Sequence, residues 1–110
     1  MANAFKNVTE STIATSLTDV ITAAGSGAET TVIGMTIANT HTAQVTVDVQ
    51  LVPASGDTVY IIKGAPIPVG SSLIVVGGEQ KVVLEAGDKL KALCSVGSVA
   101  HSTISILEIS

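Results

Sequence analysis

The residues of this chain that could do chemistry are few and scattered. Its one cysteine, Cys94, lies in Leu90-Lys91-Ala92-Leu93-Cys94-Ser95-Val96. A reactive thiolate needs a helix N-terminus or a basic neighbourhood to lower its pKa. The alternation here puts Cys94 on one strand face with Leu90, Ala92 and Val96, where a free cysteine behaves as a small buried hydrophobe. His41, in Asn39-Thr40-His41-Thr42, and His101, in a later turn, have no Cys or His partner at zinc-ligand spacing. Both read as solvated turn residues, and a meeting of symmetry-related copies stays open. The carboxylates Glu10, Asp19, Glu29, Asp48, Asp57, Glu79, Glu85, Asp88 and Glu108 show no D-x-D-x-D-G calcium run. Asp57 and Asp88 follow glycines in tight turns, where an aspartate side chain bonds nearby backbone amides. Gly25-Ser26-Gly27 and Gly77-Gly78 neither match GxxxxGK[ST] nor open a helix, so they read as turn glycines. Without a positioned acid, base or nucleophile the chain reads as non-enzymatic, with no catalytic, cofactor-binding or metal residues.

The elements that would have to position such groups are strands. The stretch Thr31–Leu51 alternates most cleanly: Val45, Val47, Val49 and Leu51 interleave with Thr46, Asp48 and Gln50. A strand sends successive side chains to opposite faces, so this period of two predicts one apolar and one polar face. We read it as a hairpin of Thr31–Ala38 and Gln44–Val52 with Asn39–Thr42 as its tip, polar face outward. Further strands are expected at Phe5–Thr12 (an edge strand), Leu17–Ala23, Thr58–Lys63, Leu73–Val76, Gln80–Leu84, Lys89–Val96 and Ser102–Ile109. Between them lie the flexible turn Ala24–Ala28, the turn Pro53–Asp57, and Gly64–Ser72, whose Pro66 and Pro68 predict a loop or a sheet-edge crossing. Gly77-Gly78 reads as a hairpin turn. Short strands at such intervals predict an all-β, single-domain antiparallel β-sandwich over residues 1–110, jelly-roll-like, with about eight strands. Residues 1–12 form an N-terminal arm or an edge strand.

Composition excludes other classes. The 110 residues make one domain; 46% are hydrophobic and only 13% charged, and with a single Phe, a single Tyr and no Trp the core must be aliphatic. The net charge is −4, and the basic residues are all lysine: Lys6, Lys63, Lys81, Lys89 and Lys91. Nucleic-acid binders carry basic patches, usually Arg-rich, with aromatics where bases stack, so no nucleic-acid partner is expected. The apolar runs fall far short of the roughly 20 residues of a spanning helix, and MANAFKNVTEST has no hydrophobic signal region, so no membrane partner is expected. A single cysteine fits a reducing compartment, and synthesis in a cytoplasm is expected.

Val59–Ile62, Leu73–Val76 and Ile104–Ile109 carry apolar residues at both parities, more than a lone sandwich needs. Burial against other subunits explains this best, with Val59, Tyr60, Ile62, Ile74, Val76, Ile104, Leu107 and Ile109 as the expected contact residues of a homo-oligomer.

Three runs carry a resemblance. Thr31–Thr40 with Val45–Val49, Ile62–Gly70 with Leu73–Val76, and Leu84–Leu90 resemble a recurrent pattern in small all-β virion structural proteins of tailed bacteriophages. The resemblance spans nearly the whole chain. It implies a virion location after synthesis in the bacterial host cytoplasm, no catalytic residues, and a partner that is either the major capsid protein or a tail protein. A capsid decoration (cement) protein, trimeric and bridging capsid subunits, is the leading expectation. A neck, tail, baseplate or fibre component is the alternative, and a receptor- or carbohydrate-binding module a further one.

Overall fold

A computed structural model describes residues 3–23, 29–77 and 81–109. Among them are nine strands and no helix. They are β1 (Asn3–Glu10), β2 (Thr18–Thr22), β3 (Glu29–Asn39), β4 (Val45–Val52), β5 (Val59–Ile67), β6 (Ser72–Val76), β7 (Val82–Leu84), β8 (Lys89–Cys94) and β9 (Ala100–Ile109). One sheet, A, runs β1-β9-β3-β6 with β7 also on β3; the other, B, runs β2-β8-β4-β5, and all pairings are antiparallel. The two sheets pack face to face as the expected β-sandwich. The chain passes between sheets at most of its connections, and this interleaving gives the jelly-roll arrangement.

Two sequence expectations change. Thr31–Leu51 is not a hairpin: β3 pairs with β9, β6 and β7, whereas β4 pairs with β5 and β8, so Asn39–Thr42 begins a corner between the sheets. Alternation tells which face of each strand is buried, and it looks the same whether the next strand lies beside it or across the core. Nor do β6 and β7 form a hairpin; Met35–Ala38 pairs with the former and Thr30–Val32 with the latter, one after the other along the same edge of β3. Of the two readings of the N-terminal segment, arm or edge strand, the structure has the second: Asn3–Glu10 pairs with β9 along its whole length at the margin of sheet A. The turn Ala24–Ala28, with Gly25-Ser26-Gly27, and the residues Gly78, Glu79 and Gln80 lie outside the described residues. Pro66 falls inside β5, at the margin of sheet B, where its missing N–H faces no ladder partner.

The core is aliphatic, as composition requires. Val45, Val47 and Val49 of β4 face Val32, Met35 and Ile37 of β3 and Ile104 and Ile106 of β9 within one buried cluster. Ile13, in the β1–β2 connection, is fully buried in that cluster, and its carbonyl accepts from Ser98 N at 2.9 Å. Cys94 is buried there too, a core residue as its strand position predicted.

Candidate interaction surface

Burial and register together assign each strand residue to an inner or outer face, and the two outer faces differ. On sheet B, Asp19 lies 3.5 Å from Lys89 and 3.7 Å from Lys91, and Lys63 lies 3.8 Å from Asp48. The outward positions of β4 are Thr46, Asp48 and Gln50, the polar set read from the alternation. Three of the five lysines are thus spread over this face. Such exposed pairs add little stability, but they keep the face hydrated.

Sheet A is the opposite. Its outer face carries Phe5, Asn7 and Thr9 on β1 and His101, Thr103, Ser105, Leu107 and Ile109 on β9. Across from these lie Thr31, Gly34, Thr36 and Ala38 on β3, Ser72 and Ile74 on β6, and Val83 on β7. None of these residues is Asp, Glu or Lys; the nearest acid on the face is Glu29, at the start of β3. Phe5, Ile74 and Val83 are 77%, 69% and 59% exposed. Phe5, Leu107, Thr31 and Val83 form one cross-strand row, and Thr9, Thr103, Thr36 and Ile74 form another. Between the rows Ser105 is too small to fill the surface, and a shallow depression lined by Phe5, Lys6, Asn7, Ile33, Ser105 and Ile106 lies there. Ile33 is the extra residue of a bulge between Val32 and Gly34, which re-aims its side chain toward that depression.

The expected contact residues divide three ways. Ile74, Leu107 and Ile109 share this outer face. Val59, Tyr60 and Ile62 belong to β5 of the other sheet, with Ile62 turned toward the core and Val59 and Tyr60 exposed. Val76 and Ile104 are corrected: at 2% and 0% exposure they are core residues. A bulge in β6 between Ile74 and Val76 turns Val76 inward, whereas Ile104 faces inward by the regular alternation of β9, opposite in parity to Leu107 and Ile109. Phe5 and Val83 were missed. Phe5 sits in a weakly patterned segment and Val83 in a strand of three residues, and neither gives a periodic signal.

The chemical candidates are placed as follows. His41 lies in the β3–β4 corner, its backbone N–H donating to Asn39 Oδ1 at 2.8 Å. His101 is not in a turn but on β9, paired with Ala38 on the outer face. Asp88 does bond backbone amides, Ala54 N at 2.8 Å and Glu85 N at 2.9 Å, whereas Asp57 makes no such bond among the described residues. No group of three or more His, Cys, Asp or Glu among the described residues could hold a metal ion. Lys63 Nζ stands 4.4 Å from the centre of the Tyr60 ring, so one face of the exposed aromatic is already covered by a cation. Among the described residues no helix is long and apolar enough to cross a membrane.

One polar residue organises the corners. Asn39 is buried, and its Nδ2 donates to Ala43 O and Ile67 O at 2.9 Å and to Pro68 O at 3.3 Å. It therefore ties the β3–β4 corner to the end of β5, two places where the chain changes sheet.

No protein-family model matches the chain, and no curated protein matches it in sequence. By structure it is similar to a chain of the T13 IBDV viral particle, with a TM-score of 0.51 and 8% identity over 96% of this chain. The chain spans 30% of the length of that one. At such identity the likeness is one of fold.

Proposed function

We propose that this chain is a non-enzymatic structural protein of a virion, one that decorates a capsid and strengthens it by bridging neighbouring subunits. The observation that carries this reading is the outer face of sheet A, where Glu29 at its margin is the one Asp, Glu or Lys among the described strand positions and the side chains of Phe5, Ile74 and Val83 stand exposed. Docking such a face requires no charge to be stripped of water, and the cores of protein interfaces are depleted of charge in the same way. The charged outer face of sheet B would then point to solvent. The resemblance of Thr31–Thr40, Ile62–Gly70 and Leu84–Leu90 to small phage virion proteins supports the reading, as does a fold similar to part of a viral-particle chain.

The mechanism is mechanical. A capsid under internal pressure fails at the junctions between subunits, and a clamp resists this in proportion to its rigidity and contact area. A two-sheet sandwich with a dry aliphatic core suits that role, because close-packed interiors deform little. The same geometry suits a neck, tail or fibre component, and copy number separates the two. Quantitative mass spectrometry of purified particles should find this chain in numbers comparable with the major capsid protein. A copy number that is a small fraction of it would move the chain to the tail, and absence from washed particles would overturn the reading.

A further inference from the structure

A sandwich of two open sheets has four margins, and three of them are blunted against pairing with another chain. β2 has five residues and a bulge between Asp19 and Ile21. β5 contains Pro66 and a positive-φ glycine, Gly64, with the charged Lys63 beside it. The margin opposite β1 is split between β6 and β7, of five and three residues. Proline, charge, bulges and short strands are how proteins protect sheet margins. β1 has none of the structural devices: eight residues, no proline or glycine, and an unbroken register with β9 from Asn3↔Ile109 to Glu10↔Ser102. Its backbone on the far side from β9 has no strand partner among the described residues.

We infer that β1 pairs antiparallel with β1 of a second copy about a two-fold axis. The occupant follows from charge. β1 carries one cation and one anion on the same strand face, Lys6 and Glu10, with Val8 midway between them. An antiparallel two-fold pair centred on Val8 sets Lys6 directly opposite Glu10 of the second copy, and Glu10 opposite its Lys6. Any other two-fold register loses both pairings, and the ones centred on Lys6 or Glu10 oppose like charges. Lys6 Nζ already lies 3.0 Å from Glu108 Oε1, so it would stand between two carboxylates, one from each copy. Glu10 uses only Oε2, for Thr12 N and Oγ1, and its Oε1 has no partner among the described residues. On the outer face Asn7 would oppose Thr9 of the second copy, a polar pair that fits the same register.

The result is one continuous sheet running through both copies, with the two charge-poor outer faces side by side. An isologous contact closes at two copies, so this association replaces the trimer expected from sequence. It rests on the β1 margin alone and stands whether or not the chain is a virion protein. A contact of eight strand residues is small, so the dissociation constant should be on the order of micromolar.

The test is sedimentation of the full chain over a concentration series. The wild type should shift from monomer to dimer with no larger species. Lys6→Glu and Glu10→Lys should each weaken the dimer about tenfold or more, since each sets like charges opposite one another twice. Mixed in equal amounts, the two variants should restore a mixed dimer, because each then meets its complement at both pairs. A folding defect in either variant would not be repaired by mixing. A wild type that stays monomeric at about 100 times the micromolar scale set above, a trimer, or variants that fail to associate on mixing would each overturn the inference.

Discussion

Replacing Asn39 asks whether one side chain holds two sheet-to-sheet corners together. Its Nδ2 donates to Ala43 O and Ile67 O at 2.9 Å and to Pro68 O at 3.3 Å, while Oδ1 accepts from His41 N at 2.8 Å. The amide has only two N–H groups, so the longer Pro68 contact is shared and three bonds carry the energy. At about 1 kcal/mol net for each, Asn39→Ala should cost about 3 kcal/mol. That is a large part of the roughly 5–15 kcal/mol available to a domain, and it lowers Tm by roughly 10 °C. Asn39→Asp keeps the shape and the His41 contact but turns an acceptor toward the carbonyl oxygens of Ala43 and Ile67. The repulsion favours the protonated acid in the folded state, so its folded pKa rises above the unfolded value. The native variant then binds more protons than the unfolded chain. The penalty is full above the folded pKa, is relieved as pH falls through it, and is gone below the unfolded value of about 4. Urea unfolding followed by circular dichroism, each variant against wild type at pH 7 and at about pH 4, reads both effects as midpoint shifts at unchanged m. Asn39→Ala costing under about 1 kcal/mol, or Asn39→Asp matching Asn39→Ala at both pH values, would refute the reasoning.

Three other perturbations follow from the same geometry. Asp88 accepts from Ala54 N through Oδ1 and from Glu85 N through Oδ2, so Asp88→Asn must set an amide N–H against a backbone N–H. It should lose about 2 kcal/mol in denaturant unfolding, and a loss under about 0.5 kcal/mol would mean that these loop amides turn to water instead. Ser102 Oγ is buried with no hydrogen-bond partner among the described residues, so Ser102→Ala should raise stability by about 1 kcal/mol; a midpoint at or below wild type contradicts this. Ile74→Thr with Val83→Thr alters two exposed residues on the outer face of sheet A and should change stability by no more than about 0.5 kcal/mol. Co-sedimentation of that double variant with particles should weaken about tenfold, as loss of two well-packed apolar contacts would give; unchanged binding would place the docking surface elsewhere.

The strands were legible in the sequence because alternation is a local property. The inward and outward sets of β4 and β8 follow from their residues alone, and Cys94 takes its core position by the same rule. Pairing was not legible. Val45–Val52 looks the same whether its neighbour is β3 across a tip at Asn39–Thr42 or β5 and β8 after a corner, since the pattern records burial and not partners. The sequence does hold one clue, in Asn39: a residue with two donors and an acceptor, placed where an apolar run ends. In a hairpin tip its side chain would be solvated, whereas here it is buried and ties down three carbonyls from two segments. Spacing cannot reveal this, because Ile67 lies 28 residues away. The apolar surface was half legible for a related reason. Ile74, Leu107 and Ile109 stood out by an excess of apolar residues, but Val76 came with them because a bulge in β6 shifts its parity, and Ile104 because an excess of apolar residues at both parities does not say which of them face inward.

Those bulges also bear on how the outer face of sheet A is built. A flat sheet with threonine, serine and alanine at many outward positions would be bland, and its exposed apolar residues would stand apart. The bulge between Val32 and Gly34 adds Ile33 to the surface, while the small Ser105 leaves a depression beside it, with Phe5 on the far side. Relief of this kind limits which partners can fit, whereas apolar area alone does not. The threonines set the background: β-branched, and so suited to a strand, yet polar enough to keep the unbound face hydrated. On sheet B the same task falls to Asp19, Asp48 and the lysines, with ion pairs at 3.5–3.8 Å. Both faces can meet water, but only one can leave it without stripping a charge. Filling the depression should therefore impair docking with little effect on folding. Ser105→Val is such a change, since Ser105 lines the depression from an exposed outward position of β9 and a β-branched residue suits a strand. Stability should hold within about 0.5 kcal/mol while particle binding falls. A Ser105→Val chain that binds particles as wild type does would show that the relief plays no part in recognition.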